Sequence, residues 1–238
     1  MQLMTRTEET CFRGLQKTTL IDYPGHLACV LFTGGCSLRC VYCYNCSLVN
    51  KSEPELPWDS VWSLLERRKG LLEGVCISGG EPTIAPFLPD FLRRVKEQGF
   101  KVKLDTNGYH PETIRHLVDQ KLLDFVAMDI KNKPARYAET CGMSLVDIGR
   151  IKASADIIRD SGLDYEFRTT VSMELFEEDS FARIVEYFGG GKRYALQPVR
   201  HNMPTLSGKR FVPPTPDVME KWAHLLEDYY YEVVLHGI

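Results

Sequence analysis

Residues 28–46 read ACVLFTGGCSLRCVYCYNC. The first part, residues 28–35, is a short apolar run that ends in a glycine pair, which is typical of a buried strand entering a loop. Four cysteines follow within eleven positions, at 36, 40, 43 and 46. The stretch therefore predicts a strand that carries a group of thiols on the loop at its carboxyl end.

The same type of apolar run recurs along the chain. Five further runs end in polar or glycine-rich residues, at 74–80, 101–108, 124–131, 164–171 and 193–200. Apolar residues at helical spacing lie between them, at Leu88, Phe91, Leu92 and Val95 and, behind Pro111, at Ile114, Leu117 and Val118. Strands that alternate with helices predict a parallel sheet with right-handed crossovers, and six units are fewer than the eight of a closed barrel. We expect an α/β fold, an open, partial (β/α)6 TIM-like barrel.

Short extensions flank this core of residues 28–200. Residues 10–25 predict a preceding strand or hairpin that is closed by a turn at Tyr23-Pro24-Gly25, and residues 201–238 predict a loop, a helix near 216–228 and a last strand. No linker long enough to separate domains occurs, and 238 residues suit one α/β domain. We expect a single domain over residues 1–238.

Composition restricts the partners and the location. The net charge is −3 and no block of like charge occurs, so we expect no nucleic-acid partner. The first residues lack an apolar signal segment and no stretch approaches the roughly 18 apolar residues of a membrane span, which favours a cytoplasmic protein without a membrane partner. Cytoplasmic thiols stay reduced, so clustered cysteines indicate a metal or catalysis. The scattered cysteines are expected to be small buried residues: Cys11, Cys29, Cys76 and Cys141.

The spacing of the clustered cysteines admits two kinds of metal site. Cys36, Cys40 and Cys43 form a C-x3-C-x2-C pattern on a loop at the end of a barrel strand, where barrel enzymes place their active sites. Three thiolates can hold three corners of a four-iron, four-sulfur cluster and leave one iron open. With Cys46 added, four thiolates would suit a structural zinc ion in a zinc-stabilised binding module.

The segment CSLRCVYC (36–43), followed one strand later by ISGGEPT (77–83), resembles the radical S-adenosylmethionine (radical SAM) superfamily. The resemblance implies a barrel of the radical SAM type and one four-iron, four-sulfur cluster on Cys36, Cys40 and Cys43. It also implies that the amino and carboxylate groups of S-adenosylmethionine chelate the open iron and that Tyr42 packs near the adenine. Cys46 is then expected to be a nearby residue that is not a ligand.

The ends of the later strands supply the remaining candidate residues. ISGGEPT resembles the superfamily's Gly-Gly-Glu-Pro element, which implies that Gly79, Gly80 and Glu81 bind the amino group of S-adenosylmethionine. LDTNG (104–108) and DIK (129–131) resemble elements that line the same cofactor in glycyl-radical-enzyme activases. They imply binding roles for Asp105, Asn107, Asp129 and Lys131. The last two strand ends place polar groups on the same rim, at Arg168, Thr170, Gln197 and Arg200.

Within the superfamily, the lead-in KTTLIDYPG (17–25) resembles anaerobic ribonucleoside-triphosphate reductase activating proteins, and the resemblance covers most of the chain. Tyr44-Asn45 departs from the His-Asn that is common at this point in those relatives. The resemblance implies that a flavodoxin or ferredoxin delivers one electron, that S-adenosylmethionine is cleaved to methionine and a 5′-deoxyadenosyl radical, and that a glycyl radical forms on a partner enzyme, the anaerobic ribonucleotide reductase. The alternative within this superfamily is an enzyme that acts on a small molecule or a peptide, such as a deazapurine-forming synthase.

Overall fold

The computed structural model describes residues 12–237, and one eight-stranded sheet forms the centre of this part of the chain. The strands are ordered in space as they are in sequence. They are β1 (Phe12–Thr19), β2 (Ala28–Thr33), β3 (Gly74–Gly79), β4 (Lys101–Thr106), β5 (Phe125–Asp129), β6 (Asp164–Val171), β7 (Gly191–Pro198) and β8 (Tyr230–Leu235). β1 pairs antiparallel with β2, and every later pair is parallel.

Helices connect the parallel strands. They are α1 (Cys46–Val49), α2 (Trp58–Arg67), α3 (Leu88–Glu97), α4 (Pro111–Asp119), α5 (Tyr137–Thr140), α6 (Ile148–Asp160), α7 (Ser180–Phe188) and α8 (Pro216–Glu227). Short 3-10 turns occupy Pro82–Ile84 and Pro134–Arg136. The six predicted strand–helix units therefore correspond to β2 through β7, and the predicted partial barrel is confirmed.

The helices form where the apolar spacing predicts them. In α3 the residues Leu88, Phe91, Leu92 and Val95 are all fully buried. An acidic residue, Asp90, lies in the first turn and Lys96 in the last, so both charges complement the helix dipole. In α4 a proline occupies the first turn and Ile114 is fully buried. Packing of these apolar stripes fixes each helix on the outer face of the sheet.

Successive residues of the strands face two different environments. Leu104 of β4 and Met128 of β5 belong to the large apolar core between the sheet and the helices. Their neighbours Asp105 and Asp129 lie on the opposite, inner face, because side chains alternate along a strand. The apolar core therefore surrounds the barrel, and the inner face carries charged residues near the carboxyl ends of the strands.

The segment before the barrel closes its lower end. β1 and the tight turn at Tyr23-Pro24-Gly25, where His26 N donates to Tyr23 O at 3.1 Å, match the predicted hairpin. Tyr23 is buried against Phe125, at the start of β5, in a small apolar cluster with Ala28 and Ala127. Residues 10 and 11 of the predicted segment, and with them Cys11, lie outside the described residues.

The extension after the barrel adds α8 and β8, as the sequence predicts. The differences are small: every predicted run except that at 164–171 leaves the sheet one or two residues before its predicted end, because glycines or loop residues follow. Within residues 12–237 no helix has the length and apolar character needed to cross a membrane. The single domain over residues 1–238 stays a prediction.

Candidate active site

The cysteine loop, residues 34–46, is held by backbone hydrogen bonds to three neighbouring segments. Glu81 N donates to Gly35 O at 2.9 Å, which ties the loop to the end of β3. Arg39 N donates to Cys141 O at 3.0 Å, which ties it to the segment after α5. Leu206 N donates to Cys43 O at 2.8 Å, which ties it to the loop between β7 and α8. The thiols are therefore carried on a firmly supported loop above the carboxyl ends of the strands.

The three thiols of the C-x3-C-x2-C pattern have different surroundings. Burial, with a smaller effect of the Glu81 carboxylate, raises the pKa of Cys36 to about 12. A hydrogen bond from Cys141 lowers the pKa of Cys40 to about 7, because the donated proton stabilises the Cys40 thiolate. Burial raises the pKa of Cys43. Within residues 12–237 no three or more His, Cys, Asp or Glu side chains lie close enough together to hold one metal ion.

The Cys46 thiol contacts two backbone carbonyl oxygens. Its Sγ donates to Cys43 O at 3.3 Å and contacts Pro204 O at 3.8 Å, at the base of α1. These contacts place the thiol between the cysteine loop and the loop that follows β7. The expectation that Cys46 is not a ligand stays a prediction.

Tyr42 carries an unsatisfied polar atom. The residue is buried, 6% exposed, and its hydroxyl has no hydrogen-bond partner in the described part of the chain. Burial raises the pKa of this hydroxyl well above its ordinary value, against the opposing effect of Lys131. A buried donor without a partner costs free energy, and a bound ligand that accepts a hydrogen bond would remove that cost.

Glu81 links the ends of β3 and β4. The side chain is completely buried, and its carboxylate accepts hydrogen bonds from Thr83 N, Thr83 Oγ1, Thr106 Oγ1 and Asn107 N at 3.0, 2.5, 2.7 and 2.7 Å. Burial nevertheless raises its pKa. All four donors belong to the protein, so this carboxylate already supports the loops that surround the site. Its predicted contact with the amino group of S-adenosylmethionine stays a prediction.

Gly79 and Gly80 are required by close backbone packing. Gly79 has φ +119°, and a Cβ on Gly80 would lie 1.9 Å from Gly35 O. A side chain on Gly79 would collide with the backbone of β2 at Thr33, and one on Gly80 would push the end of β3 away from the cysteine loop. The approach of a cofactor to these two glycines stays a prediction.

Charged side chains of alternating sign fill the inner face at the ends of β4, β5 and β6. The Asp105 carboxylate forms ion pairs with Lys103 Nζ at 2.5 Å and with Arg168 Nη1 at 3.5 Å. The Asp129 carboxylate forms ion pairs with Arg168 Nε at 3.0 Å and with Lys131 Nζ at 2.9 Å. Burial alone would raise the pKa of Asp129, but Lys131 and Arg168 outweigh it and lower this pKa to about 2. Both carboxylates are therefore ionised and the network is held by opposite charges.

The last strand ends divide into two groups. Gln197 Nε2 donates to Thr170 Oγ1 at 2.8 Å, so β6 and β7 are joined at the rim, as their predicted proximity requires. Arg200 does not join this pair: it is exposed, and its guanidinium lies 4.9 Å from the centre of the Tyr44 ring. The structure thus brings Thr170 and Gln197 together and places the exposed Arg200 beside Tyr44 of the cysteine loop.

Three residues near the site were not among the predicted ones. Lys103 is 2% exposed and pairs with Asp105; its position two residues before Asp105 on one strand was the available signal, because such residues share a face. Glu166 is buried, with its carboxylate 4.0 Å from Arg168. Cys141 was predicted only to be buried, as it is together with Cys29 and Cys76. Its contact with Cys40 depends on tertiary packing that sequence spacing does not encode.

Comparison with known proteins assigns the family. The sequence profile described as the radical SAM superfamily matches residues 30–188. The chain belongs to the radical SAM superfamily. Radical SAM enzymes carry a four-iron, four-sulfur cluster and bind S-adenosylmethionine, so these are the cofactors of this chain. The thiols of the cysteine loop and the unsatisfied Tyr42 hydroxyl fit a cluster and S-adenosylmethionine. Membership in this superfamily argues against the alternative of a zinc-stabilised binding module.

Individual relatives of this radical SAM enzyme are named as activating enzymes. It is 31% identical over 188 residues to a Methanocaldococcus jannaschii protein whose name assigns it, provisionally, as a glycyl-radical enzyme activating enzyme, over 77% of this chain and 78% of the relative. It is 36% identical to the pyruvate formate-lyase-activating enzyme of Clostridium pasteurianum over 128 residues, which are 50% of this chain and 51% of that enzyme. The match therefore spans about half the length of that second relative.

Solved structures share the fold. A domain of a pyruvate-formate lyase-activating enzyme from Bacteroides vulgatus superposes with a TM-score of 0.53 at 21% identity, over 69% of this chain and 99% of that domain. Streptococcus suis SuiB bound to the precursor peptide SuiA superposes with a TM-score of 0.67 at 15% identity, over 87% of this chain and 48% of SuiB. At these identities the comparison establishes the radical SAM fold alone.

Proposed function

We propose that this radical SAM enzyme forms a glycyl radical on a partner enzyme, and that the partner is the anaerobic ribonucleoside-triphosphate reductase. The similarity to the M. jannaschii protein over more than three quarters of each chain carries the first part of the proposal. The KTTLIDYPG lead-in, through its resemblance to reductase activating proteins, supports the second. Location in the cytoplasm stays a prediction.

The cluster would be held by Cys36, Cys40 and Cys43. Three thiols leave one iron for S-adenosylmethionine, whereas Cys46 is engaged with Cys43 O. When bound, the cluster and S-adenosylmethionine together supply one-electron cleavage to methionine and a 5′-deoxyadenosyl radical. Everything else falls to the protein, which binds, orients and shelters the reacting groups.

Lys131 and Tyr42 are suited to two different parts of S-adenosylmethionine. Lys131 offers an ammonium group for a carboxylate, and Asp129 and Arg168 fix its position through a hydrogen bond of 2.9 Å and an ion pair of 3.0 Å. Tyr42, which the resemblance implies near the adenine, offers a hydroxyl donor that has no partner among residues 12–237. Asp105, Asn107, Thr170 and Gln197 would line the remainder of the cofactor site.

The open sheet suits a macromolecular substrate. β1 and β8 are the two edges of the eight-stranded sheet and do not pair with each other within residues 12–237. A gap of this kind gives a polypeptide loop lateral access to the inner face, where the strand ends carry the candidate residues. Shape alone does not identify the partner, so the proposal depends on the residues and the relatives.

The electron donor is proposed to be a flavodoxin or a ferredoxin, an acidic one-electron carrier. Residues 34–52, around the cysteine loop, contain Arg39 and Lys51 and no acidic residue. Residues 199–216, which follow β7, contain Arg200, Lys209 and Arg210 and no acidic residue. All five basic side chains are exposed, and Leu206 N and Ser207 Oγ join the second loop to the first. A positive surface beside the cluster in a chain of net charge −3 favours an acidic carrier.

Electron paramagnetic resonance tests the proposed function. The anaerobically reconstituted protein is reduced, given S-adenosylmethionine and incubated separately with anaerobic ribonucleotide reductase and with pyruvate formate-lyase. We expect the doublet of a glycyl radical on the reductase. A glycyl radical on pyruvate formate-lyase alone would show that the reductase is not the partner. Cleavage of S-adenosylmethionine without a radical on either protein would favour the alternative, an enzyme that acts on a small molecule or a peptide.

A further inference from the structure

Asn107 lies directly after β4 and is 5% exposed. Its backbone N, its side-chain Oδ1 and its side-chain Nδ2 each contact a polar group of the protein. Its backbone N donates to Glu81 Oε2 at 2.7 Å. Its side-chain Oδ1 accepts a hydrogen bond from Tyr109 N at 2.9 Å. Its Nδ2 lies 3.6 Å from Cys36 Sγ and 3.3 Å from Ser37 Oγ. The amide therefore directs its two N–H groups at the cysteine loop.

The orientation of this amide follows from its neighbours. The oxygen and nitrogen of an asparagine are distinguished by the groups they meet, and Tyr109 N can only donate. A rotated amide would set two donors against each other at Tyr109 and would turn its oxygen towards the Cys36 sulfur. The N–H groups must therefore face Cys36 and Ser37.

We propose that Asn107 is a positioning residue for the cluster, which donates an N–H···S hydrogen bond to the Cys36 thiolate and raises the reduction potential of the cluster. Reduction adds negative charge to the cluster, and donors to its cysteine sulfurs stabilise that charge. Leu38 N, in the cysteine loop itself, already donates to the same sulfur at 3.4 Å, so Asn107 supplies a second donor from the loop after β4. The inference rests on the proposed role of Cys36 as a cluster ligand.

Hydrogen bonds from the rest of the protein fix Asn107 in the position from which it contacts Cys36. Glu81 holds the Asn107 backbone and, through Thr83 and Thr106, joins the loop after β3 to the end of β4. Tyr109 N holds the amide oxygen. Since the backbone N and the side-chain Oδ1 of Asn107 are both held by the protein, the direction of Nδ2 is set before any cofactor binds.

Two substitutions separate the hydrogen bond to sulfur from the support of the loop. Asn107→Asp keeps an oxygen for Tyr109 N and nearly the same shape, but it turns a carboxylate oxygen instead of an N–H towards Cys36. Asn107→Leu removes both interactions. Ser37→Ala is the matched control, because it removes the other acceptor of the same amide and leaves the N–H···S contact in place.

The measurement is the midpoint potential of the reconstituted cluster, followed by electron paramagnetic resonance during a reductive titration, with iron content determined for each variant. We expect a more negative potential than that of the unaltered protein in Asn107→Asp and in Asn107→Leu, and no shift in Ser37→Ala. An unchanged potential in either Asn107 variant that holds normal iron, or an equal shift in Ser37→Ala, would overturn the proposal. If Asn107→Asp takes up no iron, Asn107→Leu alone decides. No partner enzyme is present in this titration, so a failed search for the glycyl radical leaves its result unaffected.

Discussion

Arg168 donates from Nε to Oδ1 of Asp129 across 3.0 Å, and this contact joins the carboxyl end of β6 to that of β5 on the inner face of the barrel. The same guanidinium reaches the Asp105 carboxylate at 3.5 Å, on β4. One cation thus compensates two partly buried carboxylates on neighbouring strands. Because Asp129 also holds Lys131, the position of the lysine depends on this arrangement.

Replacing Arg168 by methionine should strongly destabilise the protein. The change leaves two partly buried carboxylates with Lys103 and Lys131 as their only ion-pair partners among the described residues. Loss of one member of a buried ion pair costs about 3 to 5 kcal/mol, and the partial exposure of these carboxylates brings the expected loss to the lower end of that range. Urea unfolding should show a lower free energy of unfolding, and Arg183→Met, which removes an exposed ion pair with Glu186, is the control and should change little. Equal stability of the two variants would contradict a structural role for the Arg168 network.

Acid should weaken the fold through Asp129. Its pKa is lowered to about 2 in the folded state, against an ordinary value of 3.8. A carboxylate whose pKa is lower when folded stabilises the protein above its unfolded pKa, and this contribution disappears as the pH falls from about 4 to about 2. The shift corresponds to a loss on the order of 2 kcal/mol.

Asp129→Asn tests this pH dependence. The amide does not titrate, so the variant should be less stable at neutral pH and should lose less stability than the unaltered protein between pH about 4 and about 2. Unfolding by urea at several pH values measures the difference. Parallel pH profiles of the two proteins would show that Asp129 is not the group responsible.

The four clustered cysteines should differ in their effect on iron. Cys36→Ala, Cys40→Ala and Cys43→Ala each remove one proposed ligand, so we expect loss of the cluster and of S-adenosylmethionine cleavage in all three. Cys46→Ala is the control, because its sulfur contacts Cys43 O and Pro204 O, and it should retain iron and sulfide. Iron analysis after anaerobic reconstitution decides the matter, and iron loss in the Cys46 variant with retention in one of the others would reverse the ligand assignment.

Reversing the charge of the loop after β7 should slow electron delivery. The double variant Lys209→Glu, Arg210→Glu should reduce the second-order rate of cluster reduction by flavodoxin by about tenfold at low ionic strength, with a smaller effect at high salt. Reduction by dithionite should remain unchanged. The control, Lys101→Glu with Lys192→Glu, makes the same charge change at the amino ends of β4 and β7.

Three results would speak against this assignment of the loop. Equal slowing of the control and the test variant would indicate an effect of net charge alone. Reduction of the test variant by flavodoxin at the unaltered rate would show that Lys209 and Arg210 do not guide the carrier. A loss of glycyl radical formation under dithionite would indicate that Lys209 and Arg210 contact the partner enzyme instead.

The sheet and the cysteine loop follow from local patterns. Apolar runs that end in glycine or polar residues predicted β2 through β7. A buried strand of a parallel sheet needs an apolar run, and the chain enters a loop where that run ends. The turn at Tyr23-Pro24-Gly25 was marked by its own residues. Strand ends were less well determined, because Gly34 and Gly35 extend the pattern of β2 after its pairing has ended.

The finer contacts of the site depend on packing between distant segments. Cys141 meets Cys40 because α5 ends beside the cysteine loop, and the sequence around Cys141 contains no sign of that meeting. The Glu81 carboxylate accepts hydrogen bonds from four protein donors, which the sequence did not indicate, and its contact with S-adenosylmethionine stays a prediction. Arg200 follows β7 as predicted, but the chain turns outward there and sets it over Tyr44.

Mössbauer spectroscopy of the anaerobically reconstituted protein, recorded with and without S-adenosylmethionine, tests the central claim most directly. A cluster held by three cysteines has one iron without a protein ligand, so we expect the signal of a single iron site to change when S-adenosylmethionine is added while the others stay the same. A four-iron spectrum that S-adenosylmethionine leaves unaltered, with every iron held by a side chain, would contradict the account.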